Sequence, residues 1–273
     1  GGDMLQTDIL DAAMKDVQGV VHLAALWLLQ CHEYPRAAFD VNIRGTFNVI
    51  EACVKNKIER LVYSSSASVY GDAVDEPMME NHPYNNWTFY GATKIAGEHM
   101  MKAYHKRYGL NGVGLRYMNV YGPRQDYKGT YIAVMMKILD NLDKGLSPVV
   151  YGDGSQAYDF IYVRDTARAN VCALRSDVPF GFYNVGRGIK TSIKELTELI
   201  LKIAGSKLPI EYAPAGQTFV TNRVGDPKAA EADIGFTWEV DLEDGLKRLI
   251  DWRKSHLKQT EKLRAQQAPG VQP

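Results

Sequence analysis

Tyr90 and Lys94, in the run Tyr90-Gly91-Ala92-Thr93-Lys94, pair a phenol with an ammonium four residues apart. At helical spacing they share a face. An ammonium beside a phenol favours the phenolate and lowers the phenol pKa from ~10 toward neutrality. Such a group can act as general base on a hydroxyl while a neighbouring cofactor takes a hydride. The same spacing also arises where a surface tyrosine merely lies beside a surface lysine. A second stretch, Ser64-Ser65-Ser66-Ala67-Ser68-Val69-Tyr70-Gly71, stands at the C-terminal end of a predicted strand, where open α/β sheets place their ligands. A serine hydroxyl there can donate to or accept from the reacting hydroxyl; a plain serine-rich turn is the alternative.

The elements that must position these groups alternate between β-rich apolar runs and segments of helical period, the pattern of a parallel sheet with helices on its faces. Residues 17–24 read as a buried strand. Pro35 opens a helix whose stripe of Ala38, Val41, Ile43, Phe47, Ile50 and Val54 reaches Asn56. A strand at 60–65 is followed by a polar loop to Asn86, a helix from about Phe89 to Tyr108 capped by Gly109, and a strand from Val113 to Met118. Beyond Pro123 the rhythm loosens: a helix over 129–142, short strands at 149–151 and 159–163, and a final helix over 242–256. This half reads as a smaller substrate-binding lobe. Residues 257–273 read as a disordered tail.

Composition bounds the function. The 273 residues are 45% apolar, with 32 basic and 32 acidic side chains and zero formal net charge. That excludes disorder as the main state and offers no basic field for nucleic acid or anionic lipid. The longest apolar run, Val20 to Leu29, is about half the ~20 residues a membrane-spanning helix needs. Cys31, Cys53 and Cys172 are odd in number and far apart, suggesting neither disulfides nor a metal site, and a cytoplasmic setting is expected.

Six motifs occur in order: Val20-Val21-His22-Leu23-Ala24-Ala25; Asn42-Ile43-Arg44-Gly45-Thr46; the Ser64 to Gly71 stretch; Tyr90 to Lys94; Arg116-Tyr117-Met118-Asn119-Val120-Tyr121-Gly122-Pro123-Arg124; and Gly152-Asp153-Gly154-Ser155-Gln156 with Asp159-Phe160-Ile161-Tyr162-Val163. Together they resemble the extended short-chain dehydrogenase/reductase family, in its NAD-dependent epimerase/dehydratase branch acting on nucleotide sugars. The resemblance implies a Rossmann-like doubly wound sheet over residues 1–123, joined by strands from the C-terminal half, and a substrate lobe mainly over 124–256. It implies a catalytic set of Ser66, Tyr90 and Lys94. Asp3, Met4, Leu23, Ala24, Ala25, Asn42, Ser64 and Tyr117, with Tyr90 and Lys94, are implied to bind NAD. Ser66, Asn119, Val149, Tyr151 and Arg223 are implied to bind a nucleotide sugar, most simply a UDP-sugar. A homodimer through the helices over 38–54 and 89–108 is implied too.

In dehydratases of this family an Asp-Glu pair follows the catalytic hydroxyl; Ala67 and Ser68 stand here instead. Neither can act as acid or base near neutrality, so the resemblance favours a 4-epimerase, in which the sugar is oxidised at C4 and reduced again on its other face. A dehydrogenase, reductase or dehydratase of the same family is the alternative. Three departures bear on this. Tyr158 replaces an arginine that commonly pairs with the substrate diphosphate, leaving Arg223 or Arg124 to supply the charge. The loop Leu26-Trp27-Leu28-Leu29 is bulky and apolar where relatives carry polar residues. No glycine-rich turn joins a first strand to a first helix, so a truncated start lacking roughly 50 to 60 residues is expected, at ~30 per βαβ unit. A non-catalytic fragment that binds NAD weakly is the corresponding third reading.

Overall fold

The computed structural model describes residues 1–125, 134–215 and 220–267, with side chains described to residue 257. The chain opens with α1 (Thr7–Met14), β1 (Gly19–His22), α2 (Leu28–Glu33) and α3 (Pro35–Ala38); a wider π-type stretch, Phe39–Gly45, leads into α4 (Thr46–Lys55). Next come β2 (Arg60–Ser66), a tight turn over Ala67–Val69, α5 (Phe89–Tyr108), β3 (Gly112–Tyr117) and β4 (Asn119–Tyr121). The remaining elements are α6 (Val134–Asp143), β5 (Val149–Tyr151), β6 (Ala157–Tyr162), α7 (Val163–Arg175), β7 (Phe180–Val185), β8 (Lys190–Ser192), α8 (Ile193–Ala204), β9 (Glu211–Ala213), β10 (Asn222–Arg223), α9 (Lys228–Ile234) and α10 (Leu242–Gln267).

Four strands form a parallel sheet in the order β1-β2-β3-β7, with Val20 opposite Leu61, Val62 opposite Val113 and Leu115 opposite Tyr183. Parallel strands are covered on both faces by the helices that connect them. On one face Val49, Ile50 and Cys53 of α4 and Met101 of α5 close over Leu61 and Tyr63. On the other, Ala169 and Ala173 of α7 and Ala230 and Ile234 of α9 cover Val62, Val113 and Val185. This is the expected doubly wound α/β architecture. A second assembly pairs β4, β6 and β10 in parallel, adds β8 antiparallel to β6, and packs α6, α8 and α10 around Phe160 and Tyr162.

Several boundaries differ from the sequence expectation. The helix expected from Pro35 to Asn56 is interrupted by the π-type stretch, which turns Asn42 inward to 2% exposure. The expected tail does not begin at 257, because α10 continues to Gln267. Its Gln, Lys, Glu, Leu and Ala are strong helix formers and no glycine or proline interrupts them. The first residues of the helix expected over 129–142 fall outside the described residues, and α6 runs to Asp143. Among the described residues no helix is long and apolar enough to cross a membrane, and no cluster of His, Cys, Asp and Glu could hold a metal ion.

Candidate functional site

The seam between α5 and β2 brings Ser66, Tyr90 and Lys94 together. Helix α5 starts where the Thr88 hydroxyl accepts a hydrogen bond from Gly91 N at 3.0 Å, and stops at Gly109, whose φ of 69° is the left-handed conformation glycine adopts without cost. Gly97 lets the helix lie close: a Cβ there would stand 2.2 Å from the Tyr63 hydroxyl. The helix then touches the strand end at successive turns. Tyr90 comes near enough for the Ser66 hydroxyl to stabilise its phenolate, Lys94 Nζ donates to Ser64 O at 2.7 Å, and Glu98 Oε1 accepts from Ser65 Oγ at 2.6 Å. Positions 90, 94 and 98 are one turn apart, so one helix face carries all three.

Beneath the seam lies a buried polar network. Arg116, 3% exposed, grips Glu98, 1% exposed, with Nε at 2.9 Å and Nη2 at 2.7 Å. Its Nη1 donates to Tyr70 Oη at 2.8 Å and to Glu80 O at 2.7 Å, and Tyr70 in turn donates to Asn184 at 2.7 Å. The guanidinium fork is thus met on every side, the condition under which a buried ion pair offsets its desolvation.

Electrostatics at Tyr90 and Lys94 differ from the simple expectation. Burial holds the Tyr90 phenol up at about 12, against the pull of the Ser66 hydrogen bond and the Arg223 charge. Lys94, also buried, is pushed down to about 8. Desolvation dominates at both groups, and Lys94 Nζ, 5.6 Å from the Tyr90 ring centroid, bonds to a backbone carbonyl instead. His22, under the same burial, falls to about 4 and shares a 2.9 Å hydrogen bond with Thr46.

Beside the seam opens a cavity of about 580 Å³, lined by Asn119, Val149, Tyr151 and Arg223 among others. Four implied substrate residues therefore share one cavity, and the fifth, Ser66, lies on the seam. Arg223 faces it from β10; its Nε is sealed from solvent and has no hydrogen-bond partner among the described residues. Of the two arginines expected to supply charge, Arg223 is the one that lines this cavity. Tyr158, opposite Arg223 in the β6–β10 register, turns its hydroxyl onto Val220 O at 2.8 Å. Trp27 and Leu28 form part of the wall.

The match to known proteins follows this geometry. Residues 1–186 match the model of the NAD dependent epimerase/dehydratase family. The chain belongs to that family. It is 38% identical over 246 residues to a putative UDP-glucose 4-epimerase of Methanocaldococcus jannaschii, covering 89% of this chain and 79% of that protein. It superposes with a TM-score of 0.89 and 33% identity on the UDP-N-acetylglucosamine 4-epimerase of Methanobrevibacter ruminantium in complex with UDP-N-acetylmuramic acid, over 93% of this chain and 82% of that one. With the NAD complex of Thermus thermophilus UDP-glucose 4-epimerase the TM-score is 0.82 at 31% identity, over 92% and 83%.

Family members use NAD, and the residues present suit its ribose and nicotinamide half. Lys94 has three donor protons and, among the described residues, one hydrogen bond; Leu23 and Ala24 lie exposed just past the C-terminal end of β1. Tyr117 donates to Asn170 at 2.8 Å. Ala25 is half-buried at the same strand end. Asn42 plays a different part: its amide clasps Leu26 N at 2.7 Å and Leu26 O at 2.9 Å, donates to Thr93 Oγ1 at 3.2 Å, and so fixes the loop that carries Trp27. Asp3 and Met4 stand apart from the seam, against α4, with Asp3 bonding its own turn at Leu5 N and Met4 O accepting from Asn48. The Glu98–Arg116 pair joins α5 to β3 and has no signal in the sequence beyond Glu98 standing one helical turn past Lys94.

Proposed function

We propose that the protein is an NAD-dependent nucleotide-sugar 4-epimerase, with a UDP-sugar as substrate. The carrying observation is the seam itself: a hydroxyl, a phenol and an ammonium on one helix–strand contact, beside a cavity charged by Arg223. Asn119, Val149 and Tyr151 flank a nucleotide at the far side, and Arg223 takes its diphosphate. Ser66 holds the sugar hydroxyl and Tyr90 removes its proton. NAD, when bound, supplies the acceptor for the hydride. Lys94 and Arg223 lie where positive charge favours the phenolate, which is how a phenol held at about 12 becomes a working base once the site is filled.

The two residues after Ser66 favour epimerisation over dehydration. Ala67 and Ser68 are both buried and bring no acid or base to the site. Assays with UDP-glucose and UDP-N-acetylglucosamine should show conversion to the C4 epimer without net NADH. Absence of epimerisation with any nucleotide sugar, despite bound NAD, would overturn the reading; accumulating NADH would point to a dehydrogenase.

The proposal includes a homodimer and a reducing compartment. Phe47 of α4 and Tyr108 of α5 are exposed, with the Tyr104 ring 6.2 Å from Phe47, so the two helices present an aromatic face. Light scattering should give twice the 30.5 kDa chain mass. All three cysteines are free thiols.

A further inference from the structure

Arg223 reaches the cavity from β10, a strand of two residues preceded by a loop, and such a short element needs an outside anchor. The anchor comes from the other half of the chain. Asp72, two residues past the Ala67–Val69 turn and Tyr70, directs Oδ1 at three donors: Thr221 N at 2.6 Å, Thr221 Oγ1 at 3.1 Å and Asn222 N at 3.4 Å. Ala73 N donates back to Asn222 O at 3.4 Å, Met78 N to Val224 O at 2.8 Å, and Asp226 N to Met78 O at 2.9 Å. Residues 72–78 thus run beside 221–226 and bracket Arg223 on both sides. Gly71, with φ 69°, sends the chain into this path, and its Cα packs so near Asn85 O that a side chain would collide.

The same carboxylate acts on Arg223 through space. Asp72, Tyr158 and Tyr90 are the groups whose fields reach the guanidinium. A half-buried aspartate bonding a loop is ordinarily a local tether with no functional weight. Here the bonded residues are the two that immediately precede the cavity-lining arginine, and the tether starts from the turn that follows Ser66. It therefore joins the reacting end of the site to the anion-binding end.

We propose that Asp72 is a positioning residue: its Oδ1 latches Thr221 and Asn222 and so sets Arg223 against the diphosphate of the bound nucleotide. This rests on the reading of the cavity as a nucleotide-sugar site. Asn keeps an Oδ1 acceptor and Ala removes it, so the pair separates hydrogen bonding from charge.

Calorimetric titration with UDP tests it. Asp72→Ala should weaken UDP about tenfold, whereas Asp72→Asn should stay within about twofold of the unaltered chain, since the latch survives and one repelling charge near the phosphates is gone. KM for the UDP-sugar should follow the same order with kcat little changed. Amide exchange reads the latch without a ligand: Thr221 and Asn222 should lose protection in Asp72→Ala and keep it in Asp72→Asn. The proposal fails if Asp72→Ala binds UDP as the unaltered chain does, even with those amides deprotected. It also fails if Asp72→Asn is as weak as Asp72→Ala, which would make charge and not geometry the cause. An unaltered chain that binds no UDP would overturn the nucleotide reading and the latch together, a result distinct from failure of the latch alone.

Discussion

The seam between α5 and β2 and the cavity lined by β10 solve opposite problems. At the seam, polar groups are buried and almost fully partnered: Glu98 accepts from Ser65, Tyr84 and Arg116, and Arg116 reaches four neighbours. In the cavity, Arg223 shares the wall with Val120, Val150, Phe160 and Val220, and its Nε has no hydrogen-bond partner among the described residues. A satisfied network fixes one geometry, while a cation with an unpartnered donor in a largely apolar wall keeps bonding capacity for the proposed anion. The difference predicts that substitutions in the buried network act first on stability and those that disturb Arg223 first on binding.

The largest effect belongs to Glu98→Gln. It leaves the Arg116 charge buried against a neutral partner, and breaking a buried pair in this way costs about 3–5 kcal/mol. At roughly 2–4 °C per kcal/mol for a domain of this size the melting temperature should fall by about 10 °C. UDP affinity of the folded fraction should be unchanged. A fall of less than about 3 °C would show that the network contributes little.

Lys94→Met should move stability the other way. The Lys94 pKa drops from 10.5 to about 8, so folding disfavours its charged form. That penalty is absent above pH 10.5, grows as pH falls toward 8, and is complete at pH 7. At 1.36 kcal/mol per pH unit it is on the order of 3 kcal/mol, and losing the bond to Ser64 O returns about 1. Without NAD, the Met variant should therefore be about 2 kcal/mol more stable at pH 7, by urea unfolding, with the advantage gone by about pH 10 and reversed by about 1 kcal/mol above pH 10.5, while the proposed epimerisation collapses. A variant no more stable than the unaltered chain at pH 7 would contradict the burial argument.

How much of each region was legible follows from the distances along the chain. Tyr90, Lys94 and Ser66 were readable because a helix repeat and a strand end are local patterns, and the family resemblance named their partners. The alternation of strands and helices gave the sheet for the same reason. Glu98 was within reach on spacing alone, yet its partner Arg116 comes from β3, a different element. The Asp72 latch spans 149 residues and depends on the left-handed turn at Gly71, so no periodicity announces it. Nor could spacing show that burial would hold Tyr90 up rather than let Lys94 pull it down; that balance depends on how much protein closes over both groups.

The smallest predicted effect concerns Tyr158, where the family's usual arginine is missing. If its hydroxyl faced the ligand, the cavity would hold two polar anchors and the contrast with the seam would blur. The structure gives that hydroxyl to Val220 O, with the ring packed edge-on to Phe160 at 6.1 Å. Tyr158→Phe should then cost about 1 kcal/mol of stability, the usual net worth of one hydrogen bond. UDP affinity should stay within about twofold, because the ring that shapes the wall remains and Arg223 keeps its place through Asp72. A loss of fivefold or more in UDP affinity, without a matching loss of stability, would show the phenol bonding the ligand and make Tyr158 a working replacement for the arginine.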